Sequence, residues 1–182
     1  LQDDISNGNE ELVKKYPGHF TKNIWVSELP DFEPAFKQLG ALVCDLALRI
    51  LPNCDTLLTK PFIADMFNQT PIAKSRLLHY YGENDNSDQK TWGGWHLDHG
   101  FITGLVAAQY YDTITGEKVQ KPDTGGLMIR SRSGKLVRID IPDDAIAFQI
   151  GETGQILSGG RLRATPHYVE KPLNTTMMEQ QL

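Results

Sequence analysis

Apolar positions along the chain predict helices in its first part. Across residues 32–50, apolar side chains recur every three or four positions, which is the stripe of a helix packed against a core. Asp31 is predicted to cap the start of this helix, Pro34 fits its first turn, and Pro52 is predicted to end it. A weaker helical pattern covers Glu10–Lys15. The first part of the chain is therefore predicted to be mostly helical.

From residue 75 onward, short apolar runs separated by turn residues predict β-structure. Strands are predicted over residues 75–81, within 95–109, and over 127–130, 136–141, 145–150 and 163–170, with an exposed loop over 82–91. Gly134 is expected to supply the turn of a hairpin. Helices followed by many short strands indicate a mainly β fold with flanking helices, as a sandwich or barrel. We expect one domain over 1–182, with a helical flanking part (1–74) and a β core (75–182).

Composition restricts the classes of partner. The chain has 182 residues, 40% of them hydrophobic, which is enough for one core. Its formal net charge is −5 and it has no basic stripe, so we expect no nucleic acid partner. The apolar runs are too short or too interrupted to span a bilayer, so we expect no membrane role.

The cysteines and the first residues bear on location. Cys44 and Cys54 are too few for a disulfide framework and suit a reducing compartment. Residues 1–4 are acidic and lack the basic and apolar segments of a signal peptide. We therefore expect a cytoplasmic protein.

The segment around His96 and Asp98 holds the main chemical signal. On a strand, these two side chains would project from the same face, about 7 Å apart along the chain. An imidazole and a carboxylate so placed could take adjacent positions around one metal ion. With a second histidine they would form the two-histidine, one-carboxylate set of non-haem Fe(II) oxygenases, which leaves positions open. The pair alone is a weak signal, because a surface His and Asp can simply share a hydrogen bond.

The third ligand must come from a distant part of the chain. Beyond His96 and the adjacent His99, the remaining histidines are His19, His79 and His167. His167 lies in a strand-like run far downstream of Asp98, and a barrel would bring such a late strand beside an early one. Because His99 follows Asp98 directly, we expect it to point to the opposite face in a packing or hydrogen-bonding role.

Six segments carry a resemblance to a known family. Three lie before and at the distal histidine: Ala147-Phe148-Gln149-Ile150-Gly151-Glu152, Ile156-Leu157-Ser158-Gly159-Gly160-Arg161 and Ala164-Thr165-Pro166-His167. Three others lie upstream: His79-Tyr80-Tyr81, His96-Leu97-Asp98-His99-Gly100 followed by Thr103 and Leu105, and Gly126-Leu127. In this order they resemble isopenicillin N synthase-like, 2-oxoglutarate/Fe(II)-dependent oxygenases, from about residue 75 to residue 169.

The resemblance implies a fold, a metal site and a chemistry. The fold would be a distorted jelly-roll (double-stranded β-helix) barrel, and His96, Asp98 and His167 would hold Fe(II). The cosubstrates would be 2-oxoglutarate and O2, and the substrate a small organic molecule that the sequence does not identify. Tyr81 takes the place of a tyrosine that commonly hydrogen-bonds the far carboxylate of 2-oxoglutarate; the alternative is a buried core tyrosine.

The sequence departs from the family after His167. The family usually carries Arg-x-Ser/Thr there, and its arginine binds the cosubstrate carboxylate. Residues 168–182 contain no arginine, and Leu173 stands in its place. Three explanations remain open: the chain lacks a loop that carries the arginine; another cation substitutes; or 2-oxoglutarate is not used, as in isopenicillin N synthase itself. The candidate cations are Lys171, Arg161 and Arg163.

Two other functions compete with that of an oxygenase. A metallo-hydrolase of the metallo-β-lactamase type would need a histidine at position 94, which is Gly94. A non-catalytic member of the same fold would keep the metal ligands and lose cosubstrate binding, and the absent arginine favours that alternative. The sequence as a whole favours an Fe(II)-dependent oxygenase.

Overall fold

The structure, a computed structural model, describes residues 10–17, 23–69, 73–81 and 90–173. Its contacts divide the chain into two compact units, Leu1–Arg76 and Leu77–Leu182. The expectation of one domain over 1–182 therefore stays a prediction. Among the described helices, none is both long and apolar enough to span a bilayer.

The N-terminal unit is helical, as the periodicity predicts. Its helices are α1 (Glu10–Lys15), α2 (Phe32–Asp55) and α3 (Ile63–Gln69). The apolar stripe of α2 begins in an aromatic cluster, in which the Trp25 ring meets the rings of Phe32 and Phe36 edge-on at 5.8 and 6.0 Å. Leu51 and Ile63 are fully buried, so the packing of α2 against α3 forms the centre of this unit.

The predicted start of α2 agrees with the observed one, whereas its predicted end does not. Asp31 occupies the N-cap position, but its side chain makes no capping hydrogen bond. The helix continues past Pro52 to Asp55. Pro52 lies in the last turn, where its missing N–H removes one helical bond, while its carbonyl still accepts a hydrogen bond from the Thr56 N–H at 3.3 Å.

Asp55, the last residue of α2, caps α3. Its Oδ1 accepts hydrogen bonds from the Phe62 and Ile63 N–H groups at 3.0 and 2.9 Å. Its Oδ2 accepts one from the Ala64 N–H at 2.9 Å. These N–H groups lie at the start of α3, where main-chain N–H groups have no acceptor within the helix, so the carboxylate completes their hydrogen bonding.

The C-terminal unit is built from short antiparallel strands and one helix. Its elements are β1 (Thr91–His96), β2 (Ile102–Val106), β3 (Tyr110–Tyr111), β4 (Lys118–Val119), β5 (Gly126–Arg130), β6 (Leu136–Arg138), β7 (Ile146–Ile150), α4 (Glu152–Leu157) and β8 (His167–Glu170). Four strands form a sheet in the order β1-β8-β5-β6, while β2 pairs with β7 and β3 with β4. All pairings are antiparallel.

Strand register places one row of residues across the four-stranded sheet. His96 lies opposite His167, His167 opposite Ile129, and Ile129 opposite Val137. Cross-strand partners share a face of a sheet, so both histidines lie on one face with apolar neighbours. The buried ring of Tyr168, one residue on, packs against Trp95 with ring centroids 4.5 Å apart.

Several predicted strands are confirmed with shorter bounds. The hairpin of β5 and β6 turns at Gly134, whose φ is 82°. The last strand starts only at His167, because Pro166 has no N–H to donate to a ladder. Residues 73–81 are not a strand, since no described strand pairs with them. Of the predicted loop, residues 82–89 lie outside the described residues, and Thr91 belongs to β1.

Candidate metal centre

The end of β1 and the start of β8 bring two histidines together. His96 closes β1 and faces His167, the first residue of β8, with ring centroids 4.2 Å apart. Asp98 lies beside both: its Oδ1 is 3.9 Å from the Nε2 of His96 and 3.8 Å from that of His167. One ligand atom from each of the three side chains lies within 4.8 Å of the others. The structure therefore gathers the three side chains that the sequence predicts as metal ligands.

Hydrogen bonds orient both imidazoles in the same way. The Nδ1 of His96 lies 2.8 Å from the Gly94 carbonyl, and the Nδ1 of His167 lies 2.9 Å from the Thr165 carbonyl. A carbonyl oxygen can only accept, so each Nδ1 carries the proton. In the neutral ring the Nε2 lone pair is then free. Both Nε2 atoms lie beside Asp98, and that of His167 also lies 3.2 Å from the Gln149 amide nitrogen.

The sequence pattern predicts that Asp98 lies on the same strand as His96. In the structure it does not. β1 ends at His96, and residues 97–101 form a loop. The main chain of α4 holds this loop: the Glu152 N–H donates to the Asp98 carbonyl at 2.7 Å, and the Gly151 N–H donates to the Phe101 carbonyl at 3.0 Å. These bonds to α4 replace those of a continued strand.

Close contact with Gly151 tightens the same loop. A Cβ atom at this position would lie 2.2 Å from the Gly100 carbonyl oxygen and 2.6 Å from that of Asp98. The Thr153 hydroxyl adds a hydrogen bond to the His99 carbonyl at 2.6 Å. The main chain beside Asp98 is therefore held on one side by a residue that must lack a side chain.

The Asp98 carboxylate is held by two side chains from the β2–β7 ladder. The Thr103 hydroxyl donates to Oδ2 at 2.6 Å, and the Gln149 amide donates to the same oxygen at 2.7 Å. Partial burial raises the pKa of Asp98. These hydrogen bonds and the imidazoles of His167 and His96 outweigh burial, so the pKa lies below its usual value. The carboxyl group is therefore ionised at neutral pH.

The donor set fits a divalent metal of the Fe(II) type. Two neutral imidazoles and one carboxylate, with positions left for other ligands, are typical of non-haem iron. His167 is buried, Asp98 half-buried and the side chain of His96 50% exposed, so the group opens toward solvent on the His96 side. A metal held there would keep that side for other ligands.

Tyr81, the predicted cosubstrate residue, is exposed. Its residue exposure is 77%, which excludes the alternative of a buried core tyrosine. Its ring stacks on that of His79 with centroids 4.3 Å apart, and its carbonyl accepts a hydrogen bond from Trp92 Nε1 at 3.2 Å. None of the contacts described for this part of the chain joins Tyr81 to the three clustered side chains.

The other histidines take no part in the cluster that the structure describes. The side chain of His99 is 93% exposed, and its Nδ1 lies 2.6 Å from Glu152 Oε2. His79 is stacked on Tyr81. His19 lies outside the described residues. The contact of His99 with Glu152 agrees with its predicted hydrogen-bonding role.

Two arginines of the four-stranded sheet are engaged elsewhere. Arg138 donates through three nitrogens to main-chain carbonyls, those of Gly125, Asp123 and Pro122, each at 2.7 Å. Arg130 lies over the Trp95 ring, 4.9 Å from its centroid. Both arginines therefore serve the packing of the sheet.

Gln149 and Thr103 both occur in motifs that carry the family resemblance, but the sequence assigns neither of them to the metal site. The available signal was a polar residue within an apolar run, Thr103 in β2 and Gln149 in β7. Gln149 is 8% exposed, and buried polar side chains generally have a specific partner.

The chain is similar to a known protein family. A family model described as the 2OG-Fe(II) oxygenase superfamily matches residues 73–178, more than half of the chain. A search among curated proteins found no match.

Solved structures give the fold. A 2OG-Fe(II) oxygenase family protein from Caulobacter crescentus is 21% identical with a TM-score of 0.60, over 88% of this chain and 47% of that one. A protein from Shewanella oneidensis assigned as an oxygenase is 16% identical with a TM-score of 0.51, over 83% and 53% of the two chains. With the family match, these likenesses confirm the predicted mainly β fold, a distorted jelly-roll (double-stranded β-helix).

A third solved structure matches a shorter region. The Arabidopsis thaliana dioxygenase for auxin oxidation 1, in complex with 2-oxoglutarate, is 28% identical over 47% of this chain and 28% of its own, with a TM-score of 0.36. At that TM-score the likeness supports no shared architecture. The chain spans about half or less of the length of these three proteins.

Proposed function

The chain belongs to the 2OG-Fe(II) oxygenase superfamily, and on that basis we propose that it is an Fe(II)-dependent oxygenase that oxidises a small organic substrate with O2 and 2-oxoglutarate. Members of this family use Fe(II) and 2-oxoglutarate. The comparisons do not extend to the narrower isopenicillin N synthase-like group, which stays a prediction. The observation that carries the proposal is the convergence of His96, Asp98 and His167 within 4.8 Å.

In this proposal, His96, Asp98 and His167 are the iron ligands. The two Nε2 lone pairs and Asp98 Oδ1 face one another, and the lowered pKa of Asp98 keeps its carboxylate charged. Fe(II), bound together with 2-oxoglutarate, supplies the activation of O2 and the oxidation of a substrate C–H bond. The chain orients the ligands and leaves the exposed side of His96 for the other participants.

The exposed side chain of Tyr81 is proposed to hydrogen-bond the far carboxylate of 2-oxoglutarate. An accessible hydroxyl is compatible with this role, because no core packing uses it. Lys171, Arg161 and Arg163 remain the candidates for the accompanying positive charge. The two free thiols, Cys44 and Cys54, support a location in a reducing compartment such as the cytoplasm.

The absent arginine favours a second candidate function. Residues 168–182 contain no arginine to bind the cosubstrate carboxylate. The alternative is therefore a protein that binds Fe(II) through the same three residues without using 2-oxoglutarate. It would be either an oxidase like isopenicillin N synthase or a non-catalytic binding protein.

The test separates metal binding from cosubstrate use. Anaerobically purified protein is loaded with Fe(II), its iron content is measured, and 2-oxoglutarate is added. We expect one iron per chain, a visible charge-transfer band and, once O2 is admitted, succinate formed without added substrate. Iron binding without band or succinate would favour the second candidate. No iron binding in the intact chain would overturn both.

The matched variants are His96→Ala and Tyr81→Phe. His96→Ala removes a proposed ligand, so we expect the iron to be lost. Because the side chain of His96 is half exposed, we expect the circular dichroism spectrum to stay unchanged. Tyr81→Phe keeps the iron and should weaken the 2-oxoglutarate-dependent band. Full succinate production by Tyr81→Phe at low 2-oxoglutarate would argue against the role of this hydroxyl.

A further inference from the structure

The two oxygens of the Asp98 carboxylate have different surroundings. Oδ2 accepts hydrogen bonds from Thr103 at 2.6 Å and from Gln149 at 2.7 Å. Oδ1 receives none of the hydrogen bonds described for this unit, and it faces the Nε2 atoms of His96 and His167 at 3.9 and 3.8 Å. One oxygen is therefore held by the protein and the other is presented to the metal position.

The two donors come from one rung of the β2–β7 ladder. Thr103 and Gln149 are direct cross-strand partners, so their side chains lie on the same face of the ladder. They carry the only hydrogen-bonding side chains in β2 and β7, the other residues being glycine or apolar. A buried amide such as Gln149 costs stability unless it is hydrogen-bonded, and here its partner is Asp98 Oδ2.

Gln149 also reaches the second histidine. Its Nε2 lies 3.2 Å from His167 Nε2, in addition to the 2.7 Å bond to Asp98. The amide therefore lies against two of the proposed ligands at once, while Thr103 contacts Asp98 alone. Thr103 and Gln149 together fix the rotation of the Asp98 carboxylate about its Cβ–Cγ bond, because both donate to the same oxygen.

We propose that Thr103 and Gln149 are positioning residues: by holding Asp98 Oδ2, they turn Oδ1 toward the metal position beside the two histidines. This inference rests on the metal site of the proposed function. With Oδ2 held in this way, the carboxylate would present Oδ1 to a metal beside the Nε2 atoms of His96 and His167.

Three variants test the proposal with Co(II) as the metal probe. Thr103→Val removes the hydroxyl with little change of shape, Gln149→Met removes the amide at similar length, and Thr103→Ser keeps a hydroxyl. Affinity is measured by competition with a chelating dye, and coordination by the visible absorption of Co(II). Loss of a group that orients a ligand typically weakens metal binding about 10–100-fold. We expect that loss for Thr103→Val and Gln149→Met, with a changed Co(II) spectrum.

Thr103→Ser is the control for the hydroxyl. We expect its Co(II) affinity within about threefold of the unmodified chain and an unchanged spectrum, because one hydroxyl donor replaces another. A role in packing alone would give the reverse, since Val fills the space of Thr better than Ser does. Co(II) binding by Thr103→Val and Gln149→Met with unchanged affinity and spectrum would overturn the inference.

A crystal of the unmodified chain with Co(II) gives an independent result should a variant fail to fold. We expect one oxygen of Asp98 at a bonding distance of about 2.0–2.2 Å, with Thr103 and Gln149 on the other oxygen. Two Asp98 oxygens on the metal would overturn the inference and leave the proposed function standing. No Co(II) bound by the three residues would overturn the proposed function itself.

Discussion

Each of the two units contains an aspartate whose carboxylate is held by hydrogen bonds. The two aspartates differ in how many of their carboxylate oxygens accept hydrogen bonds. Asp55 in the N-terminal unit has both oxygens hydrogen-bonded, to three N–H groups at the start of α3. Asp98 in the C-terminal unit has one oxygen hydrogen-bonded and the other facing two imidazoles. A carboxylate with both oxygens satisfied stabilises the fold; one with a free oxygen beside other ligand atoms is prepared for a metal.

Both carboxyl groups have a pKa below the usual value, for different reasons. For Asp55, burial raises the pKa, but the hydrogen bonds from Ala64, Ile63 and Phe62 outweigh it. For Asp98, the opposing contributions come from side chains, including two imidazoles. A lowered pKa therefore does not by itself distinguish a structural aspartate from a metal ligand. The distinguishing feature is Asp98 Oδ1, which accepts none of the described hydrogen bonds and faces two imidazoles.

The largest expected effect comes from Asp98→Asn. The amide has the size of the carboxylate but no charge, and its oxygen can still accept from Thr103 and Gln149. We expect Fe(II) or Co(II) affinity to fall by more than about 100-fold, since a charged ligand is lost. The free energy of urea unfolding of the metal-free chain should change little. Metal content close to that of the unmodified protein would contradict the difference drawn between the two aspartates.

Gly151→Ala should disturb Asp98 through the main chain. The new methyl group would meet the carbonyl oxygens of Gly100 and Asp98 at 2.2 and 2.6 Å. Forcing these atoms apart should cost about 3 kcal/mol of unfolding free energy and weaken metal binding in whatever protein folds. The matched control is Gly100→Ala on the other side of the contact, where an added Cβ has nothing within 4 Å. Equal effects of the two substitutions would show that the close approach is not what holds the loop.

The sequence predicts the three proposed metal ligands better than the segments that hold them in place. His96, Asp98 and His167 follow from a short motif and a distant histidine, and the structure brings them together. The expected strand through Asp98 is wrong, because the loop after His96 hydrogen-bonds to Gly151 and Glu152, about fifty residues away along the chain. Such a partner cannot be read from local periodicity.

Other differences have the same origin in partners distant in sequence. Residues 75–81 have the composition of a strand, but a strand also needs a neighbour to pair with. Gln149 is visible in the sequence as a polar residue in an apolar strand, but its meeting with Asp98 depends on the β2–β7 register. The long helix α2 is predicted well because the spacing of its apolar side chains is a local pattern in the sequence. Only its predicted end, at Pro52, is misplaced.

Asp55→Asn makes the same chemical change in the N-terminal unit and should have the opposite result. One of the three N–H donors would face an amide nitrogen, and the charge at the start of α3 would be lost. We expect a loss of about 2 kcal/mol in unfolding free energy at neutral pH, with metal affinity unchanged. The measurement is urea unfolding followed by circular dichroism, beside metal titration of the folded protein. A fall in metal affinity would show that Asp55 is not purely structural.

The pH dependence of that loss provides its control. Because the pKa of Asp55 is lowered in the folded state, its contribution is complete above the unfolded value of about 4 and is lost as pH falls through the folded value. The difference in unfolding free energy between the unmodified protein and Asp55→Asn should therefore shrink in acid. A difference that stayed constant down to low pH would mean that the carboxylate charge does not stabilise α3.

The smallest expected effect is that of His99→Ala, which tests whether nearness in sequence to Asp98 matters. His99 is the next residue, but its side chain is 93% exposed and pairs with Glu152 at the surface. Exposed ion pairs contribute at most about 1 kcal/mol, so we expect stability within about 0.5 kcal/mol of the unmodified chain and metal affinity within about twofold. Isothermal titration with Co(II) would measure the affinity. Loss of Co(II) binding would place His99 among the ligands and require a different set of three.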